Sequence, residues 1–118
     1  MTHEFFVGFR TQPFGIEKFL EKEGYVPNET VKDPLGAKIF QREDEIWPQT
    51  FYYKDVDNLK RADPIWEKLP HRIVSELDIN YPSEQNSEAE RLMERIVRSF
   101  DGILYDADAN EFYTKDEL

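Results

Sequence analysis

Apolar and polar positions between His3 and Arg10 put Phe5, Val7 and Phe9 on one side of the chain and Phe6, Gly8 and Arg10 on the other. This is the period-two pattern of a strand, with bulky rings on both faces. Thr11-Gln12-Pro13 opens a helix, because proline suits the first helical position, and Ile16, Phe19 and Leu20 share one face. Gly24 closes that helix. From Tyr25 to Gly36 two prolines, an Asn and an Asp interrupt any period, which predicts a loop. A second strand is expected over 37–43. Glu43-Asp44-Glu45 and Trp47-Pro48 then mark a turn, and 50–56 is a third strand dense in β-formers.

Asp63-Pro64 ahead of Ile65-Trp66-Glu67-Lys68-Leu69 predicts a short helix with Asp63 as its cap. His71 to Tyr81 reads as a half-buried strand, with Ile73, Leu77, Ile79 and Tyr81 on one face and Ser75 as the polar interruption of that face. The strongest local signal follows. Ser87 with Glu90 three residues later spells a capping box, and Ala89, Leu92, Met93, Ile96, Val97 and Phe100 keep helical spacing up to Gly102. Two short strands, 102–105 and 111–114, flank the turn-forming tract Asp106-Ala107-Asp108-Ala109-Asn110.

The order is therefore strand, helix, strand, strand, short helix, strand, helix, strand, strand, with no repeat and no linker. It predicts one α+β domain over residues 1–118: a mostly antiparallel sheet with two amphipathic helices packed on one face. The order resembles the ferredoxin-like βαββαβ arrangement with extra strands. That resemblance is to an order of elements, so it transfers no site residues. Phe5, Val7 and Phe9, with Phe51 and Tyr53 or their neighbours, are expected to face the helices, which leaves Phe6 and Tyr52 on the far face. If that face is open, Phe6 and Tyr52, extended by Trp47 and Trp66, form an aromatic interface. The alternative is that the loop 25–36 or the Trp66 helix covers it.

Composition narrows the function. Across 118 residues, 15 Lys and Arg face 25 Asp and Glu, a formal charge of −10, and hydrophobic residues at 39% suffice for a core. The charge disfavours nucleic acid, no run approaches the roughly 20 apolar residues that span a membrane, and no secretory signal is recognisable. A cytoplasmic protein is expected. Zero Cys removes thiolate chemistry, and His3 and His71 lack a surrounding constellation. No cofactor is implied. Asp55 and Asp57 could share a divalent ion on a strand face.

Two strings imitate motifs. Lys115-Asp116-Glu117-Leu118 spells the endoplasmic-reticulum retrieval signal, but without an entry signal it reads as coincidence. Asp106, Asp108, Asn110 and Glu117 sit at oxygen-ligand places of an EF-hand-like calcium loop, yet Glu111 stands where the sharp turn needs Gly and Tyr113 where an aliphatic residue belongs. A hairpin turn is the plainer expectation. The favoured function is a small acidic, non-catalytic interaction module that pairs with a second copy or docks on a basic protein. The alternative is a small-ligand binder or enzyme with a pocket between sheet and helices, where Arg42, Tyr52, Tyr53 and His71 supply polar groups.

Overall fold

Two strands of eight residues, β1 (Thr2–Phe9) and β5 (Ser75–Pro82), pair antiparallel along their whole lengths, Thr2 opposite Pro82 and Phe9 opposite Ser75. The structure is a computed structural model that describes residues 2–59 and 64–118. Around the central pair lie β2 (Tyr25–Pro27), β3 (Lys38–Arg42), β4 (Gln49–Tyr53), β6 (Ile103–Asp106) and β7 (Glu111–Tyr113). Together they form one antiparallel sheet in the order β2-β3-β4-β5-β1-β6-β7. The two helices are α1 (Ile16–Lys22) and α2 (Asn86–Phe100). The molecule is thus a single α+β domain.

One face of the sheet packs on the helices. Ala89, Leu92, Met93, Ile96 and Val97 of α2 and Ile16 and Leu20 of α1 join Val7, Phe9, Tyr52, Leu77, Ile79 and Leu104 in one buried cluster. These are the positions at helical spacing in α2 and at alternate places in the strands, so each element buries the stripe its sequence makes apolar. Glu23 at the end of α1 pairs with Arg95 of α2 and ties the helices together.

The part of the other face over β1, β6 and β7 is covered by the long connection between β4 and β5. Ile65 and Trp66, in a short 3-10 turn (Ile65–Lys68), and Ile73 pack on Ile103 and Tyr105, with Phe6, Val56, Leu69 and Phe112 around them. The Trp66 ring lies 6.5 Å from that of Tyr105 and 6.1 Å from that of Phe112. Gly8 makes this approach feasible: a Cβ there would sit 2.8 Å from Cη2 of Trp66. Trp66 also donates its indole N–H to Oε1 of the buried Glu76 at 2.5 Å. A carboxylate on a central strand needs such donors, because burying it without hydrogen bonds is costly.

Several expectations are corrected. Residues 25–27 are not loop but an edge strand, with Tyr25 opposite Arg42. Tyr52 lies opposite Leu77, which lies opposite Val7, so Tyr52 faces the helices and Phe51 and Tyr53 face away. The first strand was read in the right phase and the third in the wrong one, and a one-residue shift exchanges the faces of a strand. Phe6 is on the far face as expected, but half-buried against the Trp66 cluster. Helix α1 starts at Ile16 after a left-handed Gly15, later than Pro13 suggested. The Ser87–Glu90 box does not form, because the chain turns helical at Asn86 and Ser87 is already inside the first turn. β4 stops at Tyr53 and β5 starts at Ser75, so Ile73 joins the far-face cluster rather than the row of Leu77 and Ile79. The cap assigned to Asp63 lies outside the described residues.

The Lys115–Leu118 string is folded rather than extended. Residues Lys115–Glu117 form a 3-10 turn under a Thr114–Glu117 capping box, Leu118 packs against the helix-side core, and its carbonyl accepts from Arg98 at 2.7 Å. Among the described residues no helix is long and apolar enough to cross a membrane.

Trp66→Ala should destabilise the domain by about 3–5 kcal/mol in urea titration, the usual range for a large buried aromatic. Trp66→Phe keeps most of the apolar area and loses the hydrogen bond to Glu76, and should cost about 1–3 kcal/mol. Trp66→Ala with unchanged stability would show that the far face does not depend on this ring.

Candidate functional site

An antiparallel sheet sends alternate connections to opposite ends, and here that sorts charge. The connections at the Pro82 end of β5 are 23–24, 43–48, 83–85 and 107–110. They carry Glu23, Glu43, Asp44, Glu45, Glu84 and Asp108, with no Lys or Arg. At the other end, the described residues of 10–15, 28–37, 54–74 and 101–102 carry Arg10, Lys32, Lys54, Lys68 and Arg72 against Glu29, Asp33, Asp55, Asp57, Glu67 and Asp101. With Lys115, Asp116 and Glu117 after β7, the described residues of this end carry six bases against eight acids. Of charged residues, the connections at the Pro82 end hold only acids; Asp106 and Glu111 at the ends of β6 and β7 add to them, while Lys22 and Arg42 at the ends of α1 and β3 offset two.

The acidic end has a defined geometry. Oε2 of Glu45 accepts from Arg42 at 3.1 Å and from Gln85 at 3.2 Å, so the β3–β4 tip is tied to the start of α2. Glu43 and Asp44 are exposed, Ile46 is 51% exposed, and Trp47 is half-buried beside it. The tip therefore offers an aliphatic side chain and an indole beside two exposed acids. Across the sheet, Oδ1 of Asp106 accepts from the backbone N–H groups of Asp108 and Ala109, which fixes the β6–β7 turn. His3 contacts Ser83 Oγ at 2.9 Å, and its ring is tilted against that of Tyr81 with centroids 5.5 Å apart.

The carboxylates are felt inside the domain. Burial pushes the Tyr81 phenol above its ordinary value, and Glu90, Asp108 and Asp106 add to that. Tyr25 is raised strongly, again mainly by burial, with Glu88 contributing through its charge and the hydrogen bond it accepts from the phenol. In both cases nearby negative charge disfavours the phenolate.

The expected site residues are dispersed. Trp47 is at the acidic tip, Phe6 and Trp66 are in the far-face cluster, and Tyr52 is on the helix side, donating to Oε1 of Gln12 at 3.3 Å. The four pocket residues do not converge either. Tyr52 lines a cleft of about 480 Å³ by the β1–α1 turn, Tyr53 a second of about 660 Å³, and His71 a third of about 460 Å³ under the Trp66 segment. Arg42 pairs with Glu45 at the opposite end. Asp57 is held by Arg72 at 2.9 Å, and Asp55 accepts from the backbone N–H of Asp57.

The oxygens of Asp106, Asn110 and Glu117 are engaged in local hydrogen bonds. Asn110 accepts from the Tyr105 hydroxyl at 2.9 Å, and Glu117 accepts from the N–H and hydroxyl of Thr114. Among the described residues no three His, Cys, Asp or Glu side chains are grouped to hold a metal. What sequence reasoning missed is the convergence of Glu43, Asp44, Glu84 and Asp108 on one end. No local motif marks it, and only the strand order assembles it. Comparison with family models, with characterised proteins and with solved structures finds no match.

The raised phenols set an alkaline limit. A group whose folded pKa lies above its unfolded value stabilises the fold below the unfolded value and loses that contribution as pH rises past it. The urea midpoint should therefore hold below the ordinary phenol value of 10.0 and fall above it. Tyr25→Phe should make that fall shallower. An identical slope in the variant would show that Tyr25 does not couple to folding.

Proposed function

We propose that the domain is a non-catalytic interaction module that docks on a basic protein partner through the acidic end of its sheet. The observation that supports this reading is the sorting itself: four connections deliver six carboxylates to one end, four of them outside the Glu23–Arg95 and Glu45–Arg42 pairs, beside the exposed Ile46 and half-buried Trp47. One-signed charge at the end of a domain steers an oppositely charged partner and raises its association rate, while an adjacent apolar contact slows dissociation. Pairing with a second copy across the aromatic sheet face has less support, because Phe6 packs under the Trp66 segment and Tyr52 faces the helices. As part of the same proposal, β1, α1, β4, β5, α2 and β6 are a ferredoxin-like core, to which β2, β3 and β7 are additions. The order β4-β5-β1-β6 supports that assignment.

Reversing two charges at the tip tests the docking end. Glu43→Lys with Asp44→Lys should weaken binding to immobilised poly-lysine by roughly five- to thirtyfold at low salt, and the loss should shrink as salt screens the charges. The same number of reversals at the other end, Glu29→Lys with Glu67→Lys, should change it by less than about twofold if the field is local. All four positions are exposed, so folding should be retained. Equal losses from both pairs would mean that net charge, rather than the acidic end, governs association.

A further inference from the structure

The end opposite the acidic connections holds a cleft of different character. It has a volume of about 480 Å³ and lies between the β1–α1 turn and the end of β4, lined by Gln12, Phe14, Lys18, Tyr52 and Lys54 among others. That size suits a small organic ligand. Phe14 is 91% exposed, the most exposed of the large hydrophobic side chains in the described residues. It is held at the lip by a tight turn: its N–H bonds the carbonyl of Gln12 at 3.0 Å, and the next residue, Gly15, has φ 83°, a conformation that favours glycine. Pro13 and Ile16 beside it are buried, so the turn is anchored while the ring projects.

Charge distinguishes this cleft from the rest of the molecule. Lys18 and Lys54 line it, and neither makes an ion pair in the described residues. Glu17, the one acidic residue of the lining, is engaged by Lys38 at 2.5 Å. In a chain with ten more acids than bases, two lysines outside any ion pair in the described residues thus line one cleft with an exposed ring. In the same lining, Gln12 is fixed by accepting from the Tyr52 hydroxyl at 3.3 Å and donating to the Lys54 carbonyl at 3.1 Å. Tyr52 and Gln12 are polar groups held by defined bonds at the cleft wall, which is what orients a ligand in an otherwise apolar site.

We infer that this cleft binds a small carboxylate carried on an aromatic body, the anion between Lys18 and Lys54 and the ring against Phe14. The site is independent of the acidic end and of the docking role proposed for it.

Phenylacetate is the probe, titrated into the whole protein and followed by amide chemical shifts. Saturable shifts should centre on Gln12, Phe14, Gly15, Lys18 and Lys54. Acetate, which lacks the ring, and phenylacetamide, which lacks the charge, should each bind at least about tenfold more weakly, since both contacts contribute. Lys18→Gln with Lys54→Gln should weaken phenylacetate binding by about tenfold and leave phenylacetamide unaffected, as expected for a charge-assisted contact. Phe14→Ala should weaken phenylacetate and leave acetate unchanged. All three positions are exposed, so the variants should fold. Non-saturating shifts, shifts centred elsewhere, equal binding of the amide, or an unchanged affinity in the double Lys variant would each overturn the assignment.

Discussion

Trp66 lying on Gly8, with its indole N–H on Glu76, is the contact on which the architecture turns. A seven-stranded sheet with helices on one side has a second face to cover, and here that face carries both aromatic rings and the buried carboxylates Glu76 and Asp78 on its central strand. A purely apolar cover would leave Glu76 without the indole donor, and a purely polar one would leave Phe6, Ile103 and Tyr105 wet. An indole meets both demands, since it buries a large apolar body and brings one N–H. The missing side chain at Gly8 lets it come close enough. The connection between β4 and β5 thereby becomes a second layer.

Closing the sheet centre on both sides leaves its ends as the places that the proposed contacts use. There the antiparallel order acts on charge. Every hairpin and crossover must emerge at one end or the other, so residues far apart in sequence, such as Asp44, Glu84 and Asp108, are gathered by topology. The same rule places Phe14, Lys18 and Lys54 at the opposite end, where six bases stand against eight acids among the described residues. The two ends thus differ in chemistry: one is suited to long-range attraction of a basic surface, the other to holding a small anion beside a ring.

Much of the scaffold was legible in the chain. The α2 stripe is read directly because helical spacing of Leu92, Met93, Ile96 and Val97 has one solution, a single buried face. The phase of β4 was not readable, because Phe51, Tyr52 and Tyr53 are all aromatic and a period-two rule needs contrast between neighbours. Nor was β2, since a three-residue edge strand ending in Pro27 carries the composition of a loop and takes its strand pairing from β3. Trp66 could be placed on a short turn but not on Gly8, because a contact that spans more than fifty residues leaves no local pattern. The calcium-like spacing misleads for a related reason: Asp and Asn that fix their own turn use the same oxygens at the same short intervals as a metal loop does.

That the far face is closed around Trp66, on which the function proposed for the ends rests, can be tested without altering the protein. The chain has two Trp residues, and their indole N–H groups give separate signals in a proton–nitrogen correlation spectrum. Transfer to heavy water should leave the Trp66 signal slow to exchange, since its N–H is bonded to a buried carboxylate, and should erase that of the half-buried Trp47 quickly. Indole exchange at Trp66 as fast as at Trp47 would mean that water reaches Glu76, that the face is open, and that the aromatic surface around Phe6 is again a candidate interface.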